Sequence, residues 1–207
     1  MNHQIKDLVA NYYTDKLRQF GATPAGVDWN SEASQLLRFA QLLQMIEQKN
    51  EPFSLMDYGC GFGAMYSFMQ QNYPNFQYVG FDISPEMIKT AQEKYPNANN
   101  TQWKTSLLEQ DTCDYVVASG IFNVKLAVNT EDWETYIEDT LKDMNARAKK
   151  GFSFNLLTTY SDKEYMKDYL HYANPAFLFD YCKRNFSKQV ALLHDYPLYE
   201  FTILVRK

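Results

Sequence analysis

Three glycines spaced two apart close an apolar run at Leu55-Met56-Asp57-Tyr58-Gly59-Cys60-Gly61-Phe62-Gly63. This is the composition of a buried strand that turns into a ligand-binding loop, because glycine lets the backbone turn tightly and approach a ligand with no Cβ in the way. The segment Ala64 to Asn72 reads as a short helix with Met65, Phe68 and Met69 on one side, so the loop presents helix N-terminal N–H groups to whatever binds. Gly59, Gly61 and Ala64 also satisfy the degenerate G-x-G-x-x-A dinucleotide fingerprint, and on the glycines alone a dinucleotide and a nucleoside tie. Two acids break the tie. Asp82 ends the next apolar run, Phe76 to Phe81, and a carboxylate there can accept hydrogen bonds from both hydroxyls of a ribose. Asp57, two residues before the first glycine, suits a cation or an ammonium and would repel a pyrophosphate over the same loop. Together they favour a positively charged nucleoside.

Strands and helices must alternate to position these groups. Ile5 to Phe20 reads as a helix, Gly21 to Gly26 as a break, and Asn30 or Ser31 as the cap of a second helix whose apolar stripe is Leu36, Phe39, Ala40, Leu43 and Ile46. Phe53 to Tyr58 is the first strand and Gln77 to Asp82 the second. Ser84-Pro85-Glu86 opens a helix with a capping hydroxyl, a proline at the first helical position and an acid in the first turn. A weak strand at Thr101 to Lys104 and a short apolar one at Tyr115 to Ala118 follow. A helix from Thr130 to Ala148 is stopped by Gly151, and Phe152 to Leu157 is the fifth strand. Ser161-Asp162-Lys163-Glu164 has the form of a capping box for a helix to about Tyr172, and Asn174-Pro175 caps another to about Arg184. Gln189 to His194 and Tyr199 to Arg206 are joined by too few residues for a parallel crossover, so they pair antiparallel.

The 207 residues suit one domain, and 16% aromatic residues suit a large core and a pocket for an organic ligand. With a net charge of −5 and no basic run longer than Lys149-Lys150, nucleic acid and anionic membrane are disfavoured as substrates. Cys60, Cys113 and Cys182 form no C-x-x-C pair, which points away from a disulfide framework or a zinc site and towards a reducing cytoplasm. No window reaches the ~18 apolar residues of a membrane span, and Met1 to Asp7 has no apolar core after its charges, so an unexported protein is expected.

With an acid, one residue and then G-x-G-x-G, paired with Val79-Gly80-Phe81-Asp82-Ile83-Ser84, the chain resembles the class I S-adenosylmethionine-dependent methyltransferases of small-molecule type from about Asp28 to Lys207. The resemblance implies a Rossmann-like α/β fold: a doubly wound, mostly parallel seven-stranded sheet with helices on both faces and an antiparallel C-terminal hairpin strand. It implies S-adenosyl-L-methionine as cofactor and S-adenosyl-L-homocysteine as product. Residues 51–207 would form the cofactor-binding core and residues 1–50 a helical lid integral to the single domain. Gly59, Gly61 and Gly63 would pass under the methionine part and ribose, Asp82 would hold the ribose hydroxyls, and Ile83 and Leu107 would pack on the adenine faces. Ser119 and Gly120 would contact the methionyl amine through the backbone, helped by the charge of Asp57. The family commonly places an acid after the third strand to meet the adenine amine, whereas this chain has Thr105 and Ser106, whose hydroxyls can accept the same bond. Gly26-Val27-Asp28-Trp29-Asn30 with Gln35 and Arg38 resembles the lid over the cofactor, where Arg38 would clamp the methionyl carboxylate bidentately. Tyr12 and Tyr13 either line this lid or face the core of an amphipathic helix.

Methyl transfer from a sulfonium asks the protein to align the acceptor and, where needed, to take its proton. His194, His171 and Asp195 are the candidates for a base, against the alternative of surface or packing residues, and Asn123 beside the fourth strand could orient a substrate. No Asp-Pro-Pro-Tyr or Asn-Pro-Pro-Tyr tetrapeptide follows that strand, which argues against methylation of a nucleobase amine or a glutamine amide. No metal site is expected, since Glu131 and Asp132 in a first helical turn serve the helix dipole. The expectation is a cytoplasmic methyltransferase acting on a small-molecule or sugar-like acceptor. An NAD-binding oxidoreductase and a non-catalytic nucleoside-binding module of the same fold remain alternatives.

Overall fold

The computed structural model describes residues 2–29 and 31–207. Eight strands form one sheet: β1 (Phe53–Tyr58), β2 (Phe76–Phe81), β3 (Thr101–Lys104), β4 (Cys113–Ala118), β5 (Ala148–Thr158), β6 (Tyr172–Ala173), β7 (Gln189–Leu193) and β8 (Glu200–Arg206). Their order is β3-β2-β1-β4-β5-β8-β7, with the two-residue β6 paired to β5 outside the seven-strand path. All pairings from β3 to β5 are parallel, and β8 runs antiparallel to both β5 and β7, so it enters the sheet as the return of a C-terminal hairpin. The direction of strand addition reverses between β1 and β4, which places their carboxyl ends beside a crevice.

The helices are α1 (Asn2–Phe20), α2 (Glu32–Leu42), α3 (Ala64–Asn72), α4 (Pro85–Lys94), α5 (Thr130–Arg147) and α6 (Pro175–Asn185). They cover both faces because successive strand residues point to opposite sides. On β4, Val116 and Ala118 pack with Trp133, Ile137 and Leu141 of α5, whereas Val117 packs with Phe39 of α2 and Met65 of α3. The caps follow local chemistry: the Ser84 hydroxyl accepts from the Met87 N–H at 3.3 Å, Asn129 Oδ1 from Asp132 at 2.9 Å, and Asn174 Oδ1 from Ala176 at 3.0 Å. The Ser31 hydroxyl caps α2 by accepting from the Ser34 N–H at 3.2 Å; Asn30, the other candidate, lies outside the described residues.

Three sequence expectations are corrected. The buried face of α2 is Gln35, Arg38, Phe39 and Leu42, while Leu36 and Ala40 face solvent, because Arg38 finds its partner, Glu200, inside. Gly151 does not stop α5; it lies within β5, which begins at Ala148, and a Cβ on it would stand 2.4 Å from the Val205 carbonyl oxygen of β8. Ser161 does not cap a long helix. Its hydroxyl donates to the Thr158 carbonyl at 2.7 Å, and only a single turn forms at Lys163–Tyr165 before the chain runs to β6.

Candidate functional site

The crevice is built from the loops after β1, β2 and β4. Asp57, at 2% exposure, ends β1 among apolar neighbours, and the Tyr78 hydroxyl of β2 donates to its Oδ2 at 2.5 Å. Burial pushes the Asp57 carboxyl up to about 7, the Tyr78 bond opposes that shift and the nearby Asp82 charge adds to it. Gly59, Gly61 and Gly63 all take positive φ. Gly59 is irreplaceable on two counts, since its φ is 86° and a Cβ there would lie 2.3 Å from the Ile121 side chain. The Gly59 and Cys60 N–H groups donate to the Phe81 carbonyl at 2.7 and 2.9 Å, tying the loop to the end of β2.

Asp82 is oriented by two backbone donors. Gly61 N–H reaches its Oδ2 at 2.8 Å and Ser84 N–H reaches Oδ1 at 2.9 Å. Each oxygen keeps acceptor capacity for a further partner. Burial pushes this carboxyl up to about 6, with the same two donors working in the other direction. Above the loop lies a cavity of about 100 Å³ with Asp57, Asp82, Ser119 and Gly120 among its walls and Tyr13, Val27 and Trp29 from the N-terminal segment also lining it. The Ser119 hydroxyl is buried without a hydrogen-bond partner, a donor and acceptor left over for a ligand. The Gly120 N–H is taken by Asn155 Oδ1 at 2.7 Å. Ile83 belongs both to this cavity and to a neighbouring one of about 440 Å³, where Leu107, Thr105 and Ser106 are found. Leu107 is therefore separated from the glycine loop by Tyr58, Phe81 and Tyr136, which belong to both cavities.

A third space, a cleft of about 630 Å³, adjoins the loop cavity across Tyr13, Val27, Trp29 and Gly120. Arg38 lines this cleft and not the loop cavity. Glu200, 1% exposed at the head of β8, accepts from Arg38 Nε at 2.9 and 2.8 Å and from Nη2 at 2.5 Å, and the guanidinium stacks on the Trp29 ring at 3.9 Å. The Nε–Nη2 edge expected to clamp a methionyl carboxylate is thus already filled, and Nη1 is left buried without a partner among the described residues. Glu200 is the residue that sequence reasoning misses; its signal is a lone acid heading a strand whose next residues are all apolar or small.

Asn123 lines the cleft, with its Oδ1 accepting from the Leu157 N–H at 3.0 Å. The histidines lie elsewhere. His171 is buried in a separate cavity against α5 and α6, its imidazole pushed down to about 4 by burial with Lys125 adding to the shift. His194 is exposed on the C-terminal hairpin beside Tyr160 and Phe201. The structure brings neither to the glycine loop. Among the described residues, no group of three or more His, Cys, Asp or Glu is placed to hold a metal ion.

The family profile described as "Methyltransferase domain" matches residues 56–151, from the glycine loop through α5. The Mycobacterium tuberculosis (strain ATCC 25618 / H37Rv) protein named "Putative methyltransferase Rv1506c" is 49% identical over 157 residues, 76% of this chain and 95% of that one. In fold, the chain is similar to magnesium protoporphyrin IX methyltransferase (ChlM) of Synechocystis PCC 6803 with bound SAH, at a TM-score of 0.66 and 16% identity over 100% of this chain and 99% of the other. It is also similar to DhpI in complex with SAH, at a TM-score of 0.65 and 14% identity, covering 99% and 97%.

Proposed function

The chain belongs to the class I S-adenosylmethionine-dependent methyltransferases, and on that premise we propose that it methylates a small organic acceptor. The observation that carries this reading is the pair of carboxylates flanking the glycine loop, buried Asp57 near the end of β1 and half-buried Asp82 held by the Gly61 and Ser84 N–H groups. The residues fit the cofactor: Ser119 offers an unpartnered buried hydroxyl, and the loop leaves room where any Cβ at Gly59 would clash. Asp82 would accept from the ribose hydroxyls, Ile83 and Leu107 would face the adenine, and Asp57 with the Ser119–Gly120 backbone would attract the methionyl ammonium. Thr105 and Ser106 stand on the adenine side as hydroxyl partners.

Bound there, S-adenosylmethionine supplies an electrophilic methyl carbon, which the acceptor's lone pair takes while the sulfur–carbon electron pair stays on sulfur. The protein's part is to orient and to exclude water; a cation bound there would favour the ionised form of carboxyls that burial alone pushes towards neutrality. Residues 1–50 act as the lid, because Tyr13, Val27 and Trp29 line the loop cavity and a space of about 100 Å³ is far below the roughly 300–1,000 Å³ of organic-ligand pockets. A small acceptor is favoured by the adjoining cleft of about 630 Å³ and by the net charge of −5. The fold neighbour named for magnesium protoporphyrin IX is in keeping with that choice. Among the described residues no helix is long and apolar enough to cross a membrane; with three unbridged cysteines, a cytoplasmic setting is our reading.

Calorimetric titration with S-adenosylhomocysteine, with NAD in parallel, tests the assignment. Micromolar binding of the former alone is expected, and Asp82→Ala should weaken it by about 1.5–3 kcal/mol through loss of hydrogen bonds to a charged acceptor. Binding of NAD instead, or an unchanged affinity in folded Asp82→Ala, would overturn it.

A further inference from the structure

The cleft beside the loop cavity has its own chemistry. Its mouth gathers Phe20, Tyr165, Tyr169 and Tyr199, each between 38% and 62% exposed, where most large rings of this protein are covered. Rings left uncovered around one concavity gain apolar burial and face-to-face contact when a flat ligand enters. Deeper in, Arg38 stacks on Trp29 and pairs with Glu200, with Nη1 buried and, among the described residues, unpartnered. A buried guanidinium nitrogen without an acceptor is costly, and an anionic oxygen is the partner that best satisfies it. Charge on the walls agrees. Asp28 is paired with Lys16 at 2.7 Å and Glu200 with Arg38, so both acids are already matched. Lys167 lies over the Tyr169 ring at 5.8 Å and, among the described residues, has no carboxylate within ion-pair distance, so the lining holds one cation more than its acids, with Asp162 at the rim engaged by the Tyr199 hydroxyl.

We propose that this cleft binds the methyl acceptor and that the acceptor is a flat aromatic acid, its rings against the tyrosines and its anionic oxygen on Arg38 Nη1. The cleft's shared walls with the loop cavity would set such a ligand beside the cofactor, so the inference rests on the methyl-transfer reading above. The volume, about 630 Å³, lies within the usual range for such ligands.

The test uses the full chain saturated with S-adenosylhomocysteine and titrated with 4-hydroxybenzoate and its neutral amide, 4-hydroxybenzamide, by ligand-observed NMR. The acid should bind at least tenfold tighter than the amide. Lys167→Ala and Tyr169→Ala, at the exposed rim, should each weaken the acid by about three- to tenfold and leave S-adenosylhomocysteine affinity within twofold. Arg38→Lys, which keeps a cation for Glu200, should abolish the preference for the acid; if that variant does not fold, the rim variants decide. Equal binding of acid and amide, or rim variants without effect, overturns the proposal while S-adenosylhomocysteine still binds. Loss of S-adenosylhomocysteine binding in Arg38→Lys with acid binding intact also overturns it, because the guanidinium would then serve the cofactor. Failure of the wild-type chain to bind S-adenosylhomocysteine, with the acid still preferred, supports the cleft's ligand class and overturns the methyl-transfer reading instead.

Discussion

Asp57 is a buried carboxyl of the crevice, and among the described residues its only side-chain hydrogen bond comes from Tyr78. In the folded chain it titrates at about 7, against ~4 for an exposed aspartate, so the native state keeps a proton that the unfolded chain has released. The stability this proton contributes is complete below about pH 4 and is lost as pH rises towards 7. Asp57→Asn removes the titration and retains an oxygen for the Tyr78 hydroxyl. The melting temperature of the ligand-free variant is therefore expected to gain on that of the wild type between about pH 4 and pH 7, as read by scanning calorimetry. Parallel curves across that interval would contradict the assignment. A cationic ligand acts in the opposite sense, since it favours the ionised carboxylate, so its stabilising effect on the wild type should grow over the same pH range.

At the scale of elements, α2 is tied to the sheet by one buried ion pair, and this tie decides which helix face turns inward. Gln35 and Arg38 join Phe39 on the inner face while Leu36 remains 39% exposed, so the expected apolar stripe holds at Phe39, Leu43 and Ile46 and fails at Leu36 and Ala40. Arg38 reaches Glu200 of β8, and Glu200 also accepts from Asn155 Nδ2 of β5 at 2.7 Å, so three elements meet at one carboxylate. Removing one partner of a buried pair leaves the other charge uncompensated, at about 3–5 kcal/mol. Glu200→Ala should lose that much in urea denaturation, and a loss under 1 kcal/mol would show that Arg38 finds water or another acceptor. The same network holds the Trp29 ring, so the variant should also loosen the segment beside the glycine loop.

For the molecule as a whole, the sheet is a platform on which residues 2–29 are seated as a cover, with Ile5 and Val9 buried in the main core and Leu17 against Phe62 and Met87. Arg18 pairs with Glu86 of α4, Thr14 shares a 2.7 Å hydrogen bond with Ser84, and Lys16 with Tyr12 holds Asp28 within the cover itself. Of the polar ties to the core, Arg18–Glu86 is exposed and contributes little stability alone, so three buried apolar side chains do most of the holding over the 19 residues of α1. Hydrogen exchange should therefore be fast in α1 of the free protein and slow markedly when S-adenosylhomocysteine binds, with β1, β4 and β5 protected in both states. Equal exchange of α1 with and without ligand would argue against a lid.

The glycine loop, its two acids, the alternation of strands and helices and the caps at Ser84 and Asn174 were all legible in the sequence. Each depends on residues within a few positions of one another, where backbone preference and side-chain capping act without distant partners. The antiparallel C-terminal hairpin was legible for a similar reason, since its link is too short to allow anything else. Tertiary structure alone decided the rest. Arg38 and Glu200 are 162 residues apart, and nothing local marks them as a pair. The rings of the cleft come from α1, the turn after β5 and the head of β8, segments that become neighbours only once β8 has inserted beside β5. Ser161 had a nearer acceptor than the helix it was expected to cap, and His171 was buried against α5 and α6 while His194 fell on the exposed hairpin, both away from the glycine loop. What a side chain touches is set by which strands pair, and strand pairing is a property of the whole chain.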